Sequence, residues 1–217
     1  MRSDDAFLGL DEAGRGPLLG PMVICAVFGS SAKLKSLGVK DSKQLSAAVR
    51  RELSERIKSE FEWKSVIVWP AEIDDAVEKG DLNDLEARHF ASIIREMGHD
   101  SAVVDCADVN EDRFSRRIAM LSGCQDVIAR HKADVNYPPV SAASIIAKTT
   151  RDAIIAEIQE QAGEQIGSGY PSDEKTVTFV TKYYMRHAEL PHFVRRSWEP
   201  VKRILAISKV KSLDDFR

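Results

Sequence analysis

Cysteine is scarce in this chain. Three cysteines, Cys25, Cys106 and Cys124, occur in 217 residues. They are odd in number, widely spaced and without a Cys-x-x-Cys pair, which excludes a disulfide framework and a thiolate zinc site and fits a reducing, cytoplasmic compartment. The five histidines are scattered, with neither a His-Glu-x-x-His string nor a Ser/His/Asp pattern, so zinc hydrolysis and nucleophilic catalysis gain no support. No apolar run approaches the roughly 20 residues of a membrane helix. The start, Met1-Arg2-Ser3-Asp4-Asp5, lacks the long apolar segment and cleavage site of a secretory signal. No membrane association is expected. An excess of positive charge is missing as well: 31 Lys and Arg stand against 34 Asp and Glu, for a net charge of -3. That argues against a generic, charge-driven nucleic-acid binder. Any nucleic-acid contact must come from local basic patches beside acidic chemistry.

What is present is ordinary for a globular protein, with 43% hydrophobic and 30% charged residues, and one large domain accommodates the length. Phe7-Leu8-Gly9-Leu10 reads as a first strand that ends at Asp11-Glu12 and feeds the tight loop Ala13-Gly14-Arg15-Gly16-Pro17. Pro21 to Phe28 is a continuous apolar run, suited to a strand buried on both faces. Trp63 to Trp69 gives a third strand stopped by Pro70. Ala102-Val103-Val104 gives a fourth, ending at Asp105, and Asp126 to Ala129 a fifth. Helical periodicity marks Ser46 to Phe61 and Asn83 to Met97. From Val140 onward the pattern predicts helices over Ser141–Gln161, Glu174–Arg186 and Trp198–Ile207. Strands crowd the first two-thirds and helices the last third, so the fold class is α/β or α+β with a mixed sheet. A single domain over 1–217 is expected, with about 173–217 as a helical C-terminal extension and tail.

Acidic residues recur where apolar runs stop. Asp11 and Glu12 follow the first strand, Asp105 the fourth, and Asp134 the His131-Lys132-Ala133 segment after the fifth. Acids at strand ends can converge on one site, and hard divalent cations such as Mg²⁺ and Mn²⁺ prefer their oxygen atoms. Two such ions held roughly 3.5–4 Å apart are able to drive in-line phosphodiester cleavage. Adjacent residues on a regular strand face opposite ways. Asp11 and Glu12 therefore share a metal only if the chain turns there or the Glu arm reaches round. A single acid at a strand end is more often solvated or capping.

Four strings carry more weight. Asp11-Glu12-Ala13-Gly14-Arg15-Gly16-Pro17, Lys40-Asp41-Ser42-Lys43, Val140-Ser141-Ala142-Ala143-Ser144-Ile145-Ile146-Ala147-Lys148 through Arg151-Asp152, and Gly167-Ser168-Gly169-Tyr170-Pro171-Ser172-Asp173 together resemble the type 2 ribonuclease H family, ribonuclease HII. They stand in that family's order, and His131-Lys132-Ala133-Asp134 resembles its archaeal branch. The resemblance implies a ribonuclease H-like mixed β-sheet flanked by helices, with a helical C-terminal extension. It also implies a monomeric endonuclease that cuts the RNA strand of RNA–DNA hybrids and at single ribonucleotides in duplex DNA. Asp11, Glu12, Asp105 and Asp134 are then the catalytic and metal-binding acids, for Mg²⁺ or Mn²⁺. Asp105 is preferred to Asp108, which precedes Glu111-Asp112 and looks like a helix start; Asp126 is a rival to Asp134.

For the substrate, Gly14-Arg15-Gly16 resembles the family's ribonucleotide sensor, where missing Cβ atoms allow close approach to the sugar. Tyr170 matches the tyrosine that packs on the sugar at an RNA–DNA junction. Ser42 and Lys43, in a loop entering a helix, suit phosphate. Lys148 and Arg151, three apart on one helical face, fall near the scissile strand, and His131 positions its loop. Arg195-Arg196-Ser197-Trp198 with Lys202-Arg203 either tracks a duplex backbone or forms the solvent face of a helix. In the tail, Leu213 and Phe216 share one face of a helical turn and resemble a short sliding-clamp-binding motif, although Val210 stands in place of glutamine and Arg217 in place of the second aromatic. The competing reading is a terminus packed on the domain. Two other functions are set against this one. A DNA-only nuclease or resolvase has no use for a 2′-hydroxyl sensor, and a non-catalytic hybrid binder would be repelled from phosphate by its own acids.

Overall fold

The computed structural model describes residues 6–39 and 45–214, with the backbone alone from 208. Among these, five strands form one sheet in the order β3-β2-β1-β4-β5. They are β1 (Ala6–Ala13), β2 (Met22–Ser30), β3 (Glu62–Val68), β4 (Ser101–Asp105) and β5 (Asp126–Arg130). β1 runs antiparallel to β2 and parallel to β4, and β4 is parallel to β5, which makes the sheet mixed as expected. The helices are α1 (Ser31–Ser36), α2 (Ala47–Glu60), α3 (Pro70–Glu78), α4 (Leu82–Met97), α5 (Glu111–Ser122), α6 (Ala133–Asn136), α7 (Pro138–Ala162), α8 (Glu174–His187) and α9 (Glu199–Asp214). None is long and apolar enough to cross a membrane among the described residues.

The chain divides into two compact units. The first holds residues 1–13, 23–67 and 83–150; the second holds 14–22, 68–82 and 151–217, with the boundary inside α7. The second unit therefore takes in two segments from earlier in the chain.

In the first unit β1 and β2 are buried nearly end to end, Leu8, Leu10, Val23, Ile24 and Val27 having no exposed surface. β1 continues through Asp11 and Glu12, which pair with Cys25 and Ile24 of β2, so both acids lie inside the strand rather than beyond it. α2 begins where Ser46 accepts a hydrogen bond from the amide of Val49, a serine N-cap. Leu53 and Ile57 are buried on its inner face, whereas Val49, on the same expected stripe, is 48% exposed. Pro70 does more than stop β3: it opens α3 from the first helical turn, where its missing N–H is not needed. α7 likewise starts at Pro138, three residues before the periodicity suggests. The three cysteines are buried and free. Burial raises all three thiol pKa values above the ordinary range.

One position fixes how closely α7 approaches the sheet. A Cβ on Gly9 would lie 2.1 Å from both the carbonyl carbon of Pro139 and the amide of Val140. Those are backbone atoms at the helix start, which no side-chain rotation relieves. Around them Phe7, Val103, Ala133 and Val140 form a small buried cluster. Gly9→Ala is expected to destabilise the protein by about 1–3 kcal/mol or more through overpacking, read as a lowered midpoint in urea unfolding.

Candidate active site

Alternation along β1 puts Phe7, Gly9 and Asp11 on one face, the face that meets the start of α7. Pairing with β4 couples Leu8 to Ala102, Gly9 to Val103 and Leu10 to Val104. One step further along both strands come Asp11 and Asp105. On neighbouring parallel strands these side chains leave the sheet on the same face, with backbones about 4.8 Å apart. At that separation two charged carboxylates repel by roughly 3 kcal/mol at an effective dielectric constant near 20. The Asp11 carboxyl shows the result. Its pKa is raised well above the ordinary carboxylate range, first by burial and then by the charge of Asp105, with a weaker push from Asp134. A hydrogen bond from the Ser144 hydroxyl and one from the amide of Glu12 (2.7 Å) oppose the rise.

Asp134 reaches this neighbourhood from α6, not from a strand end, and is 4% exposed. The turn that brings it in places Lys132 at φ 57°, ψ 38°, the left-handed region that a lysine rarely adopts. That turn aims the amide of Ala133 at Asp105, where Oδ1 accepts its hydrogen bond at 2.6 Å. Asp105 and Asp134 are thus tied through one peptide segment.

Asp108 and Asp126 stand apart. Asp108 is buried but its carboxylate accepts hydrogen bonds from Arg113 (2.6 and 2.7 Å), Asn83 (3.1 Å) and the amide of Asn110 (2.8 Å). Burial works against its ionisation, yet those bonds and the charge of Arg113 hold its pKa below the ordinary range. It braces the start of α5, whose N-cap is Asn110. Asp126 pairs with Ser101 at the opening of β4, whereas Asp105 pairs with Arg130. Four residues of parallel strand, about 13 Å, separate it from the acid end.

Glu12 is half-buried and leaves β1 on the other face from Asp11. The strand continues to Ala13, so the chain does not turn between the two acids. Among the described residues no three His, Cys, Asp or Glu side chains stand as a ready-made metal cage. The donor chemistry nevertheless fits a hard divalent cation. The four acids offer only carboxylate oxygens, and a cation's charge offsets the repulsion that raises Asp11. Lys148 follows Ser144 by one turn of α7 and so shares its face. Two residues not singled out by the sequence support Asp11: Ser144 through its hydrogen bond, and Gly9 by admitting the start of the helix that carries Ser144. Their one signal is the i, i+2 spacing of Gly9 and Asp11.

Gly14, Gly16 and Tyr170 belong to the second unit. Gly14 lies at φ 89°, and a Cβ there would meet Arg151 Nε at 2.3 Å and the carbonyl oxygen of Pro21 at 2.7 Å. Gly16 is different: nothing lies within 4 Å of where its Cβ would be. Tyr170 is half-buried, its loop locked by Ser168 N–H donating to Asp173 Oδ2 (2.7 Å) and Gly169 N–H to Thr176 Oγ1 (2.9 Å). The two loops meet where the amide of Leu18 donates to the carbonyl of Gly169 at 2.7 Å.

Arg151 is 1% exposed. It donates to the carbonyls of Leu19 (3.2 Å) and Pro21 (3.3 Å), and its guanidinium lies 5.3 Å from the Tyr170 ring centroid. Two of its donors are thus taken up by main-chain carbonyls inside the fold. Arg195, expected in a surface basic patch, has no exposed surface either. Asp74 of α3 accepts from the amides of Arg196 (2.9 Å) and Ser197 (3.0 Å). Arg195 and Ser197 are therefore scaffold, whereas Arg196, Lys202 and Arg203 stay exposed. Ser42, Lys43 and Phe216 lie outside the described residues, and Leu213 lies in α9, whose side chains are described through 207.

Known proteins share the sequence and the fold. The family model described as Ribonuclease HII matches residues 8–201. A ribonuclease HII of Thermococcus onnurineus is 47% identical over 203 residues, covering 90% of this chain and 88% of the relative. The crystal structure of ribonuclease H2 from Pyrococcus horikoshii superposes with a TM-score of 0.87 at 38% identity, covering 94% of this chain and 99% of that one. A ribonuclease HII of Archaeoglobus fulgidus, solved as a complex with PCNA, gives 0.84 at 37%, with 91% and 95% covered.

The two neighbouring acids of this segment should part in their effect on stability. Asp108→Asn sets an amide NH₂ against donors and is expected to cost about 1–3 kcal/mol. Asp105→Asn keeps an oxygen for the Ala133 amide and removes a repelling charge, so its stability in EDTA should equal or exceed the parent's. Urea unfolding of both variants checks the contrast, and an equal loss in both would refute it.

Proposed function

The chain belongs to the ribonuclease HII family, in its archaeal branch, and is a ribonuclease H; we propose that it cuts the RNA strand of RNA–DNA hybrids and also acts at single ribonucleotides embedded in duplex DNA. The observation that carries this reading is the convergence of Asp105 and Asp134 on buried Asp11. Asp11, Glu12, Asp105 and Asp134 would hold Mg²⁺ or Mn²⁺, Glu12 joining the others only by the reach of its longer arm. When bound, two such ions supply an activated water and offset charge on the leaving oxygen.

The protein's own groups do the selecting. Gly14, Arg15 and Gly16 with Tyr170 read the ribose, and the open space at Gly16 supports close approach of a sugar. Lys148 and Arg15 offer charge to the backbone, and Ser42 and Lys43 are proposed for a neighbouring phosphate. The products are a 5′-phosphate and a 3′-hydroxyl, in keeping with primer removal and ribonucleotide excision. One catalytic domain with a helical extension, monomeric and in the cytoplasm, is the setting proposed; the buried free thiols support the reducing compartment.

The test is a labelled duplex with one ribonucleotide, incubated with Mg²⁺ or Mn²⁺. Cleavage is expected on the 5′ side of the ribonucleotide, with none in an all-DNA duplex. Asp11→Asn, Glu12→Gln, Asp105→Asn and Asp134→Asn should each lower turnover by about 10²-fold or more, since each removes a charged ligand; Asp134→Asn has the smallest effect if it serves release. Near-normal turnover in Asp105→Asn would count against the acid assignment.

A sliding clamp is the proposed partner, through Leu213 and Phe216. The Archaeoglobus relative solved with PCNA supports it, and tethering raises local concentration without new active-site contacts. Titration of the parent and a Leu213→Ala/Phe216→Ala double variant against the clamp should show binding lost in the variant. Equal binding by both, or none by the parent, would remove the proposal.

A further inference from the structure

The shape of the Gly14–Gly16 loop is written into two side chains far along the sequence. The guanidinium of Arg195 donates from Nη2 to the carbonyls of Gly14 (2.5 Å) and Gly20 (3.0 Å), from Nη1 to Arg15 (2.7 Å), and from Nε to Gly20 (3.1 Å). Trp198 adds its indole N–H, which donates to the carbonyl of Gly16 at 3.2 Å. Its ring centroid lies 5.1 Å from the Arg195 guanidinium carbon, a cation–π contact. Around them the backbone is laced antiparallel. The amide of Gly20 donates to Phe193, and that of Arg195 to Leu18.

Burying a guanidinium whose hydrogen bonds all go to main-chain oxygens is unusual, because buried cations generally need a carboxylate. Burial and the like charge of Arg151 lower its pKa to about 9, with Asp74 and Tyr170 pulling the other way. It therefore keeps its proton at neutral pH. Hydrophobic side chains could fill the same volume, but they could not hold three carbonyls in set directions. A planar fork of five donors can.

The directions matter because a trans peptide is flat, with C=O and N–H opposed. Carbonyls of Gly14 and Arg15 turned toward Arg195 turn the amides of Arg15 and Gly16 away from it. Gly16 itself is exposed, and a Cβ there would meet nothing within 4 Å.

We propose that Arg195, backed by Trp198, is the positioning residue that sets the Arg15 and Gly16 amides for recognition of the ribose. It touches the loop and not the substrate, and its role rests on the reading of this loop as the ribose sensor. Arg151 serves the same unit from another side, under Gly14 and against Tyr170.

The experiment compares equilibrium binding of two duplexes of one sequence, with and without a single ribonucleotide, in EDTA so that nothing is cut. The parent should prefer the ribonucleotide duplex. Arg195→Lys keeps the charge but loses the fork, and is expected to reduce that preference by about tenfold. Trp198→Phe keeps a ring under the guanidinium and loses only the bond to Gly16, so the fall should be smaller and in the same direction. A merely structural role would lower the active fraction for both duplexes alike and leave the preference untouched. If Arg195→Lys does not fold, Trp198→Phe decides. Preference retained in the folded variants would overturn the role of Arg195. A parent with no preference would overturn the loop's reading, and the proposal with it.

Discussion

Parallel strands offer no choice of face. Once β1 and β4 pair Leu8 with Ala102 and Leu10 with Val104, the residues that follow, Asp11 and Asp105, leave the sheet side by side. Much of the first unit's local design answers that enforced closeness. Ser144 and the Glu12 amide stabilise Asp11 as an anion against burial and repulsion. The Ala133 amide occupies one oxygen of Asp105. Gly9 lets α7 come near enough for Ser144 to reach. The fold spends stability to keep like charges together, a pattern expected where the charges have work to do.

The second unit solves a different problem, how to give an irregular loop one shape. Regular ladders cannot do it, because the carbonyls of Gly14, Arg15 and Gly16 point to no neighbouring strand. Buried Arg195 and an indole N–H stand in for the ladder, and Arg151 holds the carbonyls of Leu19 and Pro21 further along. The loop is consequently built from distant sequence, and its geometry depends on residues beyond position 150.

That dependence explains what the sequence could and could not disclose. Strand and helix identities were largely legible, since β2 is an unbroken apolar run and α2 has its serine cap and periodic Leu53 and Ile57. The contrast between Asp105, which closes a buried run, and Asp108, which precedes a helix, was legible too. Less legible were features decided by pairing. β1 extends through two charged residues because β2 supplies partners, and α3 hides behind a proline that reads equally as a stop or a start. The buried arginines were the least legible: Arg151 and Arg195 look like surface charge in a linear chain, and only the fold shows that carbonyls and aromatic rings surround them.

The cysteines carry a practical consequence. Cys25 has no exposed surface, Cys106 and Cys124 are 9% exposed, and burial keeps all three protonated near neutral pH. Alkylating reagents attack thiolates at accessible positions, so the native chain is close to silent toward them. A cysteine introduced on the surface would be the site that a maleimide dye finds first. Single-molecule fluorescence could follow the enzyme along a nucleic acid without first stripping its natural thiols from the core.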